Sequence, residues 1–542
     1  MPPTAARPEV VAHVRSELEK NIVYWAIKRA LKDEILKPEY EAASLPSMLP
    51  QVMDRLHLTA RLRSAVYDVL EPDRMAAESR AHEPRGGQLP EPAAPTAGGA
   101  AGGAAGGSSG PVLESLPGMG WADHQAEHIT RARRAWDANL AKRMNSISAE
   151  RRLPWASPRP ADQGVAPYRN QPFLMPVQPH ELLDHLAAIK NKNRRGLDAQ
   201  FLSWGRIQLQ IGTPDITELR VLFRELDPSH RQVGLDDATS GRFAKMVVDL
   251  GNKLLAEGHP PDLAQYAKCG VPTNLRGAVW HTLLRVEPSR EEANYFAALR
   301  KQAGSYELLT DRLVWEAIRT GACNNDNYFI FEALVEQMLV TMSRDPYVRK
   351  HAQSQPHMPF LVAPNAGAST PRGTQYPPSG IIPYSCMVSW VAPLCYIYDE
   401  PHHLYHAWRA WYTRYCCRLH SIDDHPQSIL SLCKLFEDLA HAVEPETCFH
   451  LERLGVPAVD VAFNWISNAF TGYLEVSELL LLWDRVLGFD DLRLFSVLAA
   501  AVLSWRSKDL LVCQSKAEIV ECLGDLSHLE VSILLTTFMF KI

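Results

Sequence analysis

The residues of this chain that could do chemistry by type and spacing are few. In PHHLYHAWRAW, His402 and His406 stand four apart, so a helix would put both on one face, as a metal site requires. The glutamate of H-E-x-x-H is missing, because His403, Leu404 and Tyr405 fill the gap. A helix start with histidines on a solvated face is the better reading, and no metal is expected. HSIDDH at 420–425 reads as the turn that starts the next helix. There is no G-x-x-x-x-G-K-[ST] phosphate loop, no usable G-x-G-x-x-G and no G-x-S-x-G elbow. The chain therefore has no signature for cradling a nucleotide phosphate or for a serine nucleophile, and no cofactor is expected. Arg276 and Trp280 in GVPTNLRGAVWHTLL are also four apart, which stacks guanidinium and indole on one helical face.

Helices must position these groups. Residues 8–37 place Val11, Val14, Leu18, Ile22 and Trp25 at steps of three and four, and 50–71 repeat the pattern with Leu58, Leu62, Val66 and Val69. Residues 1–75 thus read as an N-terminal helical region. Residues 76–117 are Gly, Ala and Pro rich with no periodic apolar face, which predicts a flexible, disordered linker. Residues 118–256 read as a second helical region. It opens with one helix over about 120–147, charged on most faces, and holds an irregular stretch, 152–180, with seven prolines. Further helices open at PHELLDHLAAIKNK, TPDITELRVLFREL and LDDATSGRFAKMVVDLGNKLLAEG. In the second, Thr213 before Pro214 suits an N-cap followed by proline at the first helical position. Beyond 257 helical patterns run almost to the C-terminus, broken by the Pro/Gly-rich insertion 352–380. No sustained two-residue alternation appears, so the fold class is all-α.

Composition narrows the partners. The net charge is −6 with no long Lys/Arg run, which argues against nucleic acid as the main ligand. Ten irregularly spaced cysteines without C-x-x-C suggest neither a disulfide framework nor a zinc cluster. The first residues lack a signal-peptide core, and the longest apolar run, VLAAAVL at 497–503, is too short to span a bilayer. A reduced, cytoplasmic protein is expected, with peripheral attachment to endomembranes through a partner left open.

Four segments, in this order, resemble the TBC domain of Rab GTPase-activating proteins over 257–530. GVPTNLRGAVWHTLL resembles the opening block through Gly270, Val271, Pro272, Arg276 and Trp280. ACNNDNYFIFEALVEQML resembles the stretch where the family has I-x-x-D-x-x-R: Asp326 falls on the aspartate, Cys323 on the isoleucine and Phe329 on the arginine finger. IIPYSCMVSWVAPLCYIYDEP resembles the Y-x-Q-G-M block. Met387, Ala392 and Pro393 fit its frame, while Pro383, Ser385 and Cys386 stand where the family has tyrosine, glutamine finger and glycine. Trp465 and Phe470 lead into GYLEVSELLLLWDRVLGFD, whose Trp483-Asp484 matches the family's W-D element. The apolar helix LRLFSVLAAAVLSW that follows should be buried.

The resemblance implies a GTP-bound Rab small GTPase as partner and regulation of vesicle traffic as role. It implies that Arg276, Trp280, Asp326, Met387 and Pro393 shape or face the GTPase site, while Trp465, Phe470, Trp483 and Asp484 build the core. The family's arginine neutralises charge on the transferring phosphate and its glutamine orients the water; the arginine alone is typically worth about 10³–10⁵ in rate. Phenylalanine carries no charge or donor fork, and serine is too short to reach where a glutamine amide would. Two readings follow. Either the chain activates GTP hydrolysis with substitute groups, such as Arg319, Arg344 or an arginine of 352–380, or it is an inactive fold that binds a Rab or serves as a helical scaffold. The sequence favours binding.

Overall fold

The computed structural model describes residues 121–158, 175–189 and 211–540, apart from 288, 354–375 and 525, and a few positions between 173 and 209. The helices expected over 8–37 and 50–71, the linker 76–117 and most of the insertion 352–380 lie outside the described residues. The unit treated below comprises Gln125–Asn193 and Gly205–Ile542.

The described chain is helical apart from one small sheet. In order it forms α1 (Trp121–Glu150), β1 (Ala156–Pro158), α2 (Pro179–Ala187), α3 (Ile216–Leu222), α4 (Asp236–Thr239), α5 (Gly241–Glu257), α6 (Pro260–Ala267), α7 (Thr273–Leu284), α8 (Arg290–Ser305), β2 (Tyr306–Leu308) and α9 (Leu309–Thr320). Then follow α10 (Glu332–Ser343), α11 (Pro346–His351), α12 (Met387–Val391), α13 (Pro401–Arg414), α14 (Ile429–Val443), α15 (Pro445–Arg453) and α16 (Ala458–Ser467). The chain ends in α17 (Val476–Phe489), α18 (Arg493–Trp505), α19 (Ser507–Leu510), α20 (Lys516–Gly524) and α21 (Val531–Phe540). Short 3-10 turns punctuate the helices, among them Ala322–Asn324, Phe329–Phe331 and Ala392–Tyr396.

The core forms around α18. Every residue from Leu494 to Leu503 is buried, with α14, α16 and α21 packed around it. A helix apolar all round has no face to give to water, so it must be surrounded. Its one interior hydroxyl, Ser496 Oγ, donates to the Leu432 carbonyl of α14 at 2.7 Å.

Several local expectations change. Residues 156–158 lie in the stretch read as irregular, yet β1 pairs antiparallel with β2, Ala156 opposite Leu308. Three residues are too short for alternation to show in sequence. Helix α1, read as charged on most faces, buries a stripe of Ile129, Trp136, Ala141 and Met144. It docks on α2, where Arg143 Nη1 donates to Glu181 at 2.9 Å. Thr213 does not cap α3. Asp215 does, accepting from the Thr217 and Glu218 amides, while Glu218 reaches back to the Asp215 amide in a capping box. Thr213 Oγ1 is turned instead to Asp438, 2.7 Å away. The third helix expected in this region is split, because the Ser240 side chain caps α5 by accepting from the Phe243 amide.

Two tight approaches have measurable consequences. Gly488 of α17 lies against the backbone of α6, where an added Cβ would sit 2.5 Å from Lys268 N and 2.9 Å from Ala264 O. Gly488→Ala is expected to lower stability by about 1–3 kcal/mol, because overpacking against backbone outweighs the ~1 kcal/mol of helix propensity gained. Urea unfolding checks this; an unchanged midpoint refutes it. Glu437 of α14 is fully buried and accepts from the backbone amides of Arg206 and Ile207 at 2.6 and 3.1 Å. Burial pushes its carboxyl up from the ordinary 4.5 to about 7, against the pull of Lys434 and those amides. A raised acid pKa means the folded chain holds the proton more tightly than the unfolded chain. That stabilisation is complete below about 4.5 and is lost as pH rises through about 7, for a swing on the order of 3 kcal/mol. Melting temperature should therefore fall between pH 5.5 and pH 8, and Glu437→Gln should flatten that slope.

Candidate functional site

The first and fourth sequence blocks meet inside the protein. Helix α7 carries Arg276 and Trp280 one turn apart, and α17 brings Asp484 between them. Arg276 donates to the Asp484 carboxylate through Nε at 3.0 and 3.1 Å and through Nη2 at 3.0 Å. Trp280 Nε1 donates to Oδ1 at 2.7 Å and the Val271 amide to Oδ2 at 3.0 Å. Arg276 Nη2 also donates to the Val271 carbonyl at 2.9 Å. Arg276, Trp280 and Asp484 are all buried, so one carboxylate fastens the G-V-P turn, α7 and α17 together. Gly270 at φ +93 lets the turn enter this knot, with Val233, Leu481 and Arg485 packed close around it. Neither Arg276 nor Trp280 presents its side chain to solvent; each can act on a bound partner only through what it supports.

Trp483 continues this core. It stacks with Trp411 at 4.9 Å and Trp280 at 6.3 Å, and its indole N–H donates to the Ala469 carbonyl at 3.0 Å. Trp465 and Phe470 stack at 6.2 Å, both buried. Arg485, beside Asp484, is buried and has no ion pair within 4 Å among the described residues, although the Asp484 and Glu478 charges act on it. It donates to Gln232 Oε1, the Leu481 carbonyl and Ser532 Oγ, and burial lowers its pKa.

The second and third blocks meet at the surface. Residues 321–331 leave α9 and form a looped segment before α10. Tyr328 is buried beneath it, while Tyr396 donates its hydroxyl to the Asn327 carbonyl and meets Phe331 edge-on at 4.8 Å. Asn325 Oδ1 accepts from the Asn327 amide at 2.9 Å, tightening the turn that carries Asp326. Asp326 is exposed and does not cap α10, whose N-cap position belongs to Phe331. At the tip Phe329 is 55% and Ile330 62% exposed, and Tyr396, packed on the same segment through Asn327, Tyr328 and Phe331, is 44% exposed. Ile330 and Tyr396 were not singled out in the sequence. Two adjacent apolar residues before a helix look like ordinary core until the fold turns them outward.

The third block is anchored to the end of α16. Trp390 Nε1 donates to the Ser467 carbonyl at 2.7 Å, and Ser389 Oγ to Asn468 Oδ1 at 2.8 Å. Met387 and Pro393 are buried in α12 and the 3-10 turn after it. The Ser385 hydroxyl is shielded from water. Next to it, burial pushes the Cys386 thiol up to about 12, partly offset by Ser467 and Ser385, so it stays protonated. Of the two positions that the sequence resemblance sets against the family's fingers, Phe329 carries an exposed aromatic ring and Ser385 a withdrawn hydroxyl.

Substitute arginines are constrained. Arg344 is buried and bound by both Asp311 oxygens and by the Val340 and Tyr306 carbonyls, which corrects its candidacy as a replacement finger. A guanidinium locked in that cage has no route to a phosphate outside. Arg319 is partly exposed at the end of α9, but Glu316 holds it through Nε at 3.1 Å and Nη2 at 2.6 Å and raises its pKa.

His281, His402 and His403 lie together, with ring centroids 5.5 Å apart for His281–His403 and 4.1 Å for His402–His403. His406 is buried rather than solvated, with Nε2 2.9 Å from the Glu292 carbonyl, and burial lowers its pKa to about 4. No group of three or more His, Cys, Asp or Glu among the described residues is arranged to hold a metal ion. No helix among them is long and apolar enough to cross a membrane.

Similarity in sequence to known proteins identifies the class. The Rab-GTPase-TBC domain matches residues 386–511, which carry most of the third and fourth blocks. The human protein TBC1 domain family member 19 is 34% identical over 436 residues, covering 76% of this chain and 82% of that one. The chain belongs to the TBC, or Rab-GAP, domain family. A solved structure, the Ypt/Rab-GAP domain of Gyp1p, aligns with 52% of this chain and 92% of its own, with a TM-score of 0.38 and 14% identity. Family membership rests on the sequence matches.

Proposed function

We propose that this TBC domain binds a GTP-loaded Rab GTPase without supplying the family's two catalytic fingers, and so acts as a Rab-binding regulator of vesicle traffic. One observation carries the reading: Phe329, aligned with the arginine finger, stands 55% exposed on a surface loop. A solvated benzene ring has no charge to offset the transferring phosphoryl group. With its neighbour Ile330, and with Tyr396 packed on the same segment, it exposes apolar surface where a finger-bearing relative would present a cation, and desolvating such surface favours association. Asp326, exposed on the same turn, would border the docked GTPase, with Met387 and Pro393 supporting the floor beneath it. Arg276 and Trp280 would contribute by fixing α7 and α17.

The test is a pull-down against a panel of Rabs loaded with GTP analogue or GDP, paired with single-turnover hydrolysis. The expected result is capture of one or a few Rabs in the GTP form, with hydrolysis within about tenfold of the intrinsic rate. Phe329→Asp should weaken that capture. Acceleration comparable to that of a finger-bearing TBC domain would overturn the reading, and absence of nucleotide-dependent capture would favour a helical scaffold.

A further inference from the structure

Far from the finger loop in sequence, α19, α20 and the turn between them form a shallow, open pocket of about 310 Å³ lined by Asp509, Val512, Cys513, Glu518, Glu521 and Cys522. Cys513 lies in the turn between the two helices, and Cys522 faces it from the last turns of α20. Both cysteines line this depression, and the Cys513 thiol donates to the Asp509 carbonyl at 3.4 Å. A disulfide between them requires the two sulfurs to meet by side-chain rotation across this depression. The turn is held from behind, where His450 Nε2 lies 2.7 Å from the Cys513 carbonyl. Helix α20 has its own anchor, with Ser515 and the Gln514 amide hydrogen-bonded to Glu518.

We infer that Cys513 and Cys522 are a reversible oxidation site, closing to an intramolecular disulfide when a hydroperoxide enters this pocket. The order of steps follows from exposure and charge. Cys522 is the more exposed, and Arg506 partly offsets the burial and the Asp509 carboxylate that raise its pKa. Cys513 is buried, and burial together with Glu518 keeps its thiol protonated. The Cys522 thiolate attacks one peroxide oxygen. The O–O bond breaks, hydroxide or alkoxide leaves, and Cys522 becomes a sulfenic acid. Cys513 sulfur then attacks the Cys522 sulfur and water departs with the Cys513 proton. The two thiols lose two electrons in all, and the peroxide is reduced to water or an alcohol. The raised pKa values make the reaction slow at neutral pH and faster under alkaline conditions. Closure would tie α20 to the turn after α19.

The experiment uses the full chain treated with hydrogen peroxide, then alkylated and digested with trypsin. Cleavage after Lys508, Lys516 and Lys541 puts Cys513 in peptide 509–516 and Cys522 in 517–541. The expected result is a cross-linked pair of these peptides, two hydrogens lighter than their sum and separated by dithiothreitol. In Cys513→Ser, Cys522 should accumulate as a sulfenic acid trapped by dimedone; in Cys522→Ser, Cys513 should remain alkylatable. Circular dichroism of both variants checks that they fold. Full alkylation of both cysteines in the treated wild type would overturn the proposal. So would sulfenic acid at Cys513 in the Cys522→Ser variant, because the first attack would then lie elsewhere.

Discussion

Asp484→Ala is expected to lose about 3–5 kcal/mol of stability, the largest effect of any single substitution considered. The carboxylate accepts from Arg276, Trp280 and the Val271 amide at 2.7–3.1 Å, and all of these donors are buried. Removing it strands a guanidinium charge in the core and orphans an indole and a backbone N–H. Asp484→Asn preserves size but turns an amide N–H₂ toward donors, so it too should destabilise. Arg276→Met combined with Asp484→Leu should cost less than the sum of the single changes, because no buried charge is left behind. Recovery would be partial, since Trp280 Nε1 and the Val271 amide still need an acceptor. Urea denaturation of the four proteins measures the cycle. If Asp484→Ala melts like wild type, the knot does not hold the fold.

Phe329→Arg is expected to raise GTP hydrolysis by the captured Rab by between about tenfold and the 10³–10⁵ typical of a resident arginine finger. The upper limit corresponds to roughly 4–7 kcal/mol of barrier. Phe329 is mostly solvated, so arginine fits there with little change in stability, within about 0.5 kcal/mol. The partner substitution is different. The Ser385 hydroxyl is shielded beside Cys386, so a glutamine must either overpack that site, at about 1–3 kcal/mol, or swing outward to solvent. Arginine alone should therefore give most of the gain, and Ser385→Gln should add to it only if the longer side chain turns outward. Single-turnover hydrolysis with wild type, Phe329→Arg and the double variant separates these cases. No gain from Phe329→Arg, with Rab capture intact, would place the finger position at another residue.

How much of this was legible in advance depends on the range of the interaction. The apolar run of α18 announced a buried helix, because burial on every side needs only composition. The four ordered blocks announced the family for a related reason: each is a local pattern within one or two helices. Caps and breaks were less legible. Thr213-Pro214 looked like a helix start, but Asp215 two residues later offered the stronger acceptor and a capping box with Glu218. His402 and His406 share spacing, yet the neighbours of α13 bury one and leave the other partly open.

By itself the sequence determined that the chain is all-α and that it is a TBC-family protein, and it set Phe329 and Ser385 in the frame of the family's finger positions. Those follow from residue identity and local spacing. Only the tertiary structure decided that Arg276 and Trp280 share one buried carboxylate with a helix some two hundred residues away. It alone turned Phe329, Ile330 and Tyr396 outward, drew the Ser385 hydroxyl out of water and caged Arg344 against Asp311. The physical reason is the same in each case. Whether a side chain meets water, a partner charge or another helix is set by elements distant in the chain, and no local pattern encodes that meeting.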